Sequence, residues 1–180
     1  LALKVGVSPH ALYTMTPEGL NALAMFADEN LLPMSIHLAE SDDEWDMFVD
    51  GAGPLYDTMS SLGRVMGDCG KGTPVQHLAK AAGFSKKTLV VHANRLINAD
   101  IEMLQRAGAD VVHCPRSHAW FGHANFDCDR LAKAGVAREQ MLVLVGSEWR
   151  YYDKATAPSR NWSKPSFDDS AWSSGPGLFG

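Results

Sequence analysis

A chain of 180 residues with 46% apolar and 21% charged residues has enough hydrophobic material for a packed core, so disorder is not its default state. A net charge of −5 gives no pull toward nucleic acid or an anionic membrane surface, and no apolar run reaches the roughly 18 residues of a membrane span. Three cysteines without CxxC spacing predict reduced thiols in a cytoplasmic protein rather than a disulfide frame.

Val5-Gly-Val-Ser-Pro9 reads as a strand stopped by Pro9, whose ring removes a ladder donor. Thr16-Pro17 marks a helix start with Thr16 as N-cap, and Leu20, Leu23, Ala24 and Phe26 carry a helical period to Glu29. Strand and helix then recur as Met34–Leu38 with Asp42–Val49, Thr88–His92 with Ala99–Arg106, and Asp110–Cys114 with Phe126–Ala134. Gly108 and Gly135 fall where helices should end. Alternation of this kind predicts parallel strands joined by right-handed crossovers, an α/β architecture. The glycine-rich stretch from Gly51 to Thr73 is predicted as a long loop, entering a short helix near Gly53-Pro54 and covering the end of the preceding strand. His77 lies on a predicted helix and is read as structural or exposed.

Met141–Val145 is compatible with one more strand, after which the character changes. Trp149, Trp162 and Trp172 alternate with polar turn residues and show no helical period. The chain therefore divides into residues 1–137, a junction at 138–146 and a tail at 147–180. Trp149-Arg-Tyr-Tyr152, Phe167-Asp-Asp-Ser-Ala-Trp172 and Gly175-Pro176 resemble the opening of a galactose-binding-like β-sandwich, which implies an incomplete sandwich rather than a further βα unit.

Each predicted strand is followed by proton-handling residues: His37-Leu-Ala-Glu40, then His92-Ala-Asn94, then His113-Cys-Pro-Arg-Ser-His118. A metal needs neutral imidazoles or carboxylates converging from several strands, and a (β/α) barrel presents such residues together at its C-terminal face. The order of these motifs resembles the amidohydrolase superfamily, in its branch of nucleoside and heterocycle deaminases and triazine hydrolases. The resemblance covers about residues 5 to 136 and implies roughly four βα units of a TIM-type barrel, the fourth to the seventh.

That resemblance implies one divalent metal, Zn²⁺ or Fe²⁺, with His37 as its ligand from the fifth barrel strand. It implies that Glu40 takes a proton from the attacking water and delivers it to the leaving amine, and that His92 bonds the water or the substrate ring. His10, Arg116, Ser117, His118 and His123 become substrate-binding candidates, with Trp120 beside them, while Cys114 is read as a packed thiol. The family's opening His-x-His pair and closing Asp have no counterpart, and Leu1 in place of Met suggests that the sequence starts within a longer protein. The expected function is hydrolytic deamination of a small aminopurine nucleoside derivative or related N-heterocycle, by a fragment with little activity alone and a tendency to self-associate. The competing expectation is a binding or structural fragment whose tail meets carbohydrate or a partner protein.

Overall fold

The computed structural model describes residues 5–84, 87–123, 126–136, 148–151, 168 and 170–176. The chain divides into two compact units, Leu1–Glu139 and Gln140–Gly180.

In the first unit the segment around Val7 runs beside a strand without becoming one. Val7 and Ala11 form isolated parallel bridges to Met34 and His37. The Val7 N–H donates to the Pro33 carbonyl at 2.9 Å, and the His37 N–H donates to His10 at 3.0 Å. The strand expected at Val5–Pro9 is thus reduced to two bridges, because Pro9 has no N–H to continue the ladder. A 3-10 turn at Leu12–Thr14 leads to α1, Pro17–Glu29, whose first turn is capped by Thr16 Oγ1 accepting from the Gly19 N–H at 3.1 Å.

Three strands, β1 (Met34–Leu38), β2 (Thr88–His92) and β3 (Asp110–Val112), form a parallel sheet in the order β1-β2-β3. Met34 lies beside Thr88 and Leu38 beside His92, which brings the C-terminal ends of β1 and β2 level. Burial alternates along both: Met34, Ile36 and Leu38 are buried, whereas Ser35 and His37 are half-buried on the opposite face. The buried face packs with Leu12, Leu20, Met47, Phe48, Val75, Leu78, Val90 and Leu104. The crossover helices include α2 (Asp42–Val49), α4 (Pro74–Ala81) and α5 (Asn98–Ala107), with Thr73 capping α4 and Gly108 closing α5 in the left-handed conformation at φ 64°.

The stretch from 51 to 73 is more ordered than a plain loop. It holds α3, Pro54–Ser61, and then folds back through Arg64. The Arg64 guanidinium forks onto Asp68 at 2.8 and 2.7 Å and lies 3.5 Å from the Leu12 and Met15 carbonyls. His77 Nε2 lies 3.2 Å from Asp68 Oδ2, with its ring 4.7 Å from that of Phe48. His77 is therefore structural, part of the tie between this stretch and α4.

β3 ends at Val112, two residues earlier than the pattern predicts, because Pro115 opens α6, Pro115–Trp120. The residues between this strand and the next helix thus include a short helix of their own, to which the fixed φ of proline is suited at the first position. α7, Cys128–Lys133, follows with Asp127 as its cap and Gly135 just beyond its end. In the second unit β4 (Glu148–Tyr151) and β5 (Ser173–Pro176) pair antiparallel, Glu148 beside Pro176 and Tyr151 beside Ser173. Met141–Val145 and Trp162 lie outside the described residues.

Candidate active site

The site grows from the level ends of β1 and β2. His37 is the fourth residue of β1, and its Nδ1 lies 2.8 Å from the His10 carbonyl oxygen. A carbonyl only accepts, so Nδ1 carries the proton and Nε2 keeps the lone pair. This backbone bond fixes the tautomer and ring orientation that a metal-binding imidazole needs. The His10 ring sits 5.1 Å from His37, and its own Nδ1 is 3.2 Å from Thr14 Oγ1.

His92 ends β2. Strand alternation would place it on the face of its register partner Leu38, away from His37. A φ of 79° at His92 and 51° at Ala93 breaks the alternation, and the ring stacks 5.3 Å from His37 at 28°. Its Nε2 then lies 3.3 Å from Glu40 Oε1. Burial pushes the His92 imidazole below its ordinary range; Glu40 opposes this, while His37, His123 and His118 reinforce it. The ring is accordingly neutral near pH 7, able to donate from one nitrogen and accept at the other.

Glu40 follows Ala39, itself at φ 54°, and its side chain is 23% exposed. Its peptide is held on both sides: the N–H donates to Glu44 Oε2 at 2.8 Å, and the carbonyl accepts from Asn94 Nδ2 at 2.9 Å. Glu44 is only 1% exposed, and burial pushes its carboxyl up to about 7. Glu44 is a residue that the sequence reading does not single out. The overlooked signal was Ser41-x-x-Glu44, a capping-box spacing, with the Glu44 N–H donating to Ser41 Oγ at 3.1 Å. Tyr13 reaches the same neighbourhood, its phenol pushed up by burial and then by the charges of Glu44 and Glu40.

The remaining candidates lie after β3. His113 stacks on Phe126 at 3.9 Å and approaches the His118 ring at 5.0 Å; His118 in turn lies 5.6 Å from His123. His113 Nδ1, His118 Nδ1 and His123 Nε2 are buried atoms without a hydrogen-bond partner among the described residues. Ser117 spends its hydroxyl on the Cys114 carbonyl at 3.2 Å, inside the first turn of α6. Arg116 is half-buried and Trp120 is 85% exposed. The Cys114 thiol is pushed up by burial and by Glu40, so it stays protonated, as a packed thiol does.

His37 fits a metal ligand by its locked tautomer, whereas His92 already directs Nε2 at Glu40. Among the described residues no three His, Cys, Asp or Glu side chains are grouped to hold an ion. The described residues thus fit one position of a metal site and do not complete one. No helix among them is long and apolar enough to cross a membrane.

An aminodeoxyfutalosine deaminase of Deinococcus radiodurans is 34% identical over 142 residues, 74% of this chain and 34% of that protein. A 5-methylthioadenosine/S-adenosylhomocysteine deaminase of Archaeoglobus fulgidus is 31% identical over 112 residues, 62% of this chain and 22% of that protein. The chain thus spans about a third or less of the length of these relatives. Among solved structures, a zinc-bound adenosine deaminase of Xanthomonas campestris matches with a TM-score of 0.57 at 24% identity, over 73% of this chain and 26% of that one. A zinc-complexed atrazine chlorohydrolase of Arthrobacter aurescens matches with a TM-score of 0.55 at 19% identity, over 72% of this chain and 24% of that one. At such identities the structural likeness supports the fold alone, an α/β fragment with a parallel sheet. The amidohydrolase family model matches residues 2–148, so this chain belongs to the amidohydrolase family.

Proposed function

We propose that these residues form part of the site of a hydrolase that removes an amino group from an aminopurine nucleoside derivative or a related N-heterocycle. The observation that carries this reading is the 3.3 Å approach of Glu40 Oε1 to His92 Nε2, beside the stacked His37 ring. Support for the substrate class comes from the deaminase relatives of D. radiodurans and A. fulgidus. A divalent ion, Zn²⁺ or Fe²⁺, would take His37 as one ligand and would make water more acidic at neutral pH.

The chain's own residues do the remaining work in this reading. Glu40, partly shielded, accepts a proton from the water that attacks the sp² ring carbon, and then hands it to the departing amine. Neutral His92 orients that carboxylate through Nε2 and bonds the water or the substrate ring. His10, Arg116, Ser117, His118 and His123 make up the substrate side. The three cysteines, without CxxC spacing, accord with a cytoplasmic setting.

The test is ammonia release from adenosine-type nucleosides by the 180-residue chain, with Zn²⁺ or Fe²⁺ in excess, against its Glu40→Gln variant. A low turnover that needs added metal and disappears in the variant is expected. No turnover and no nucleoside binding at saturating metal would replace this reading by a binding or structural role.

A further inference from the structure

Glu40 lies beyond the last residue of β1, so no strand ladder holds it. Two side chains with no part in the proposed chemistry grip its peptide instead. Glu44 Oε2 accepts the Glu40 N–H at 2.8 Å from the first turn of α2, and Asn94 Nδ2 donates to the Glu40 carbonyl at 2.9 Å from beyond β2. Main-chain bonds brace the same junction: the N–H groups of Asn94 and Arg95 donate to the Ala39 carbonyl at 2.9 and 3.1 Å, and Ala93 donates to Leu38 at 3.0 Å. An ordinary capping box does not account for Glu44, since its side chain passes over the N–H of the N-cap Ser41 and takes that of Glu40, one residue earlier. The carboxylate is 1% exposed, and its second oxygen, Oε1, has no hydrogen-bond partner among the described residues. Burying a carboxyl is unfavourable, and the N–H groups of Glu40 and Ala39 offset that cost only in part.

We infer that Glu44 and Asn94 are positioning residues, a two-sided clamp on the Glu40 peptide that aims the Glu40 carboxylate at His92. The inference rests on the reading of Glu40 as the proton-transfer group. Because the clamp joins α2, the end of β1 and the loop after β2, it makes the two strand ends one frame. A small displacement of a proton-transfer group costs rate far more than binding, which gives such a frame its value.

The experiment uses the full chain with metal in excess and the variants Glu44→Gln, Glu44→Ala and Asn94→Ala. It reads hydrogen exchange at the Glu40 amide by NMR, and kcat and KM separately for ammonia release. Glu44→Gln keeps an oxygen acceptor and should retain both the slow Glu40 amide and kcat. Glu44→Ala should lose the amide protection and lower kcat roughly 10–100-fold with KM little changed. Asn94→Ala, which leaves the N–H side intact, should lower kcat while the Glu40 amide stays protected. A folded Glu44→Ala with unchanged exchange and unchanged kcat overturns the clamp, as does a Glu44→Gln that fails as badly as Glu44→Ala. If Glu44→Ala does not fold, Asn94→Ala decides, and an unchanged kcat there overturns the proposal. If the wild-type chain shows no turnover, the deaminase reading fails on its own, and amide exchange in Glu44→Gln and Glu44→Ala still decides whether Glu44 holds Glu40.

Discussion

His92 Nε2 stands 3.3 Å from Glu40 Oε1 across the ends of two neighbouring parallel strands. Gln at position 40 would keep the shape of the carboxylate and remove its basicity. Ammonia release by the metal-supplemented chain should fall ~10²–10⁴-fold in Glu40→Gln, while nucleoside binding by calorimetry persists. Equal loss of binding and turnover would mean that Glu40 contacts the ligand rather than moves its proton.

Metal retention follows from the donor set. With no three ligand side chains grouped among the described residues and His37 the imidazole that fits a metal position, zinc should exchange freely and be lost on dialysis. Metal analysis of the dialysed chain should give well under one ion per chain, and His37→Ala should abolish the weak uptake seen in excess zinc. One ion retained per chain after dialysis would contradict this.

Glu44 gives the stability a defined pH dependence. Its carboxyl moves from an ordinary value of 4.5 to about 7 on folding, because burial disfavours the charge. Between those values the unfolded chain releases the proton first, so ionisation favours unfolding. Stability should therefore fall as pH rises from about 4.5 to 7, by up to ~3 kcal/mol. Urea unfolding of Glu44→Gln should lack this decline, so the variant gains on the wild type across the window. Parallel curves for the two proteins would show that Glu44 does not titrate on folding.

Much of this frame is legible in the sequence, because the signals are local. Thr16-Pro17 gives the start of α1, and the apolar runs at Met34–Leu38 and Thr88–His92 match β1 and β2 residue for residue. Helix α6 is hidden, since six residues are too few to show a period and Pro115 reads equally as a loop. The stacking of His92 on His37 is hidden for a different reason. It depends on a left-handed φ at a non-glycine residue, which no spacing rule announces. Glu44 was visible as a capping-box partner of Ser41, but its bond to Glu40 depends on the turn at Ala39.

Arg64 ties the stretch after α2 to its surroundings. It meets Asp68 in a two-pronged pair, with side-chain exposures of 10% and 11%, and its charge and hydrogen bonds outweigh burial to hold the Asp68 carboxyl low. Arg64→Ala would leave a shielded carboxylate with His77, the Cys69 thiol and its own backbone as partners but no full positive charge, at a cost of about 2–4 kcal/mol in urea unfolding. Arg64→Lys should recover only part, since an ammonium cannot fork. A loss below about 0.5 kcal/mol would class the pair with ordinary surface pairs.

Exposed apolar side chains predict self-association. Met25 and Phe26 on α1 are 54% and 50% exposed, and Leu31 just beyond is 73% exposed. Sedimentation velocity should show association rising with concentration, reduced by Phe26→Glu with Leu31→Lys. An association unchanged by the pair would place the sticky surface elsewhere.

The proton-handling pair and the ring group after β3 rest on different supports. Glu40 and His92 are fixed at the strand ends, by main-chain bonds around Ala39 and by the Glu44 and Asn94 side chains, whereas His118 rides on a six-residue helix and His113 and His123 on its flanks. In the reading proposed here, mutation can act on the two separately. Changes within α6 would redraw what the site recognises while the β1–β2 junction stays as it is, so a lineage could move between heterocycles without passing through a form that had lost its chemistry. Trp120, 85% exposed at the end of that helix, is where such drift has the most room.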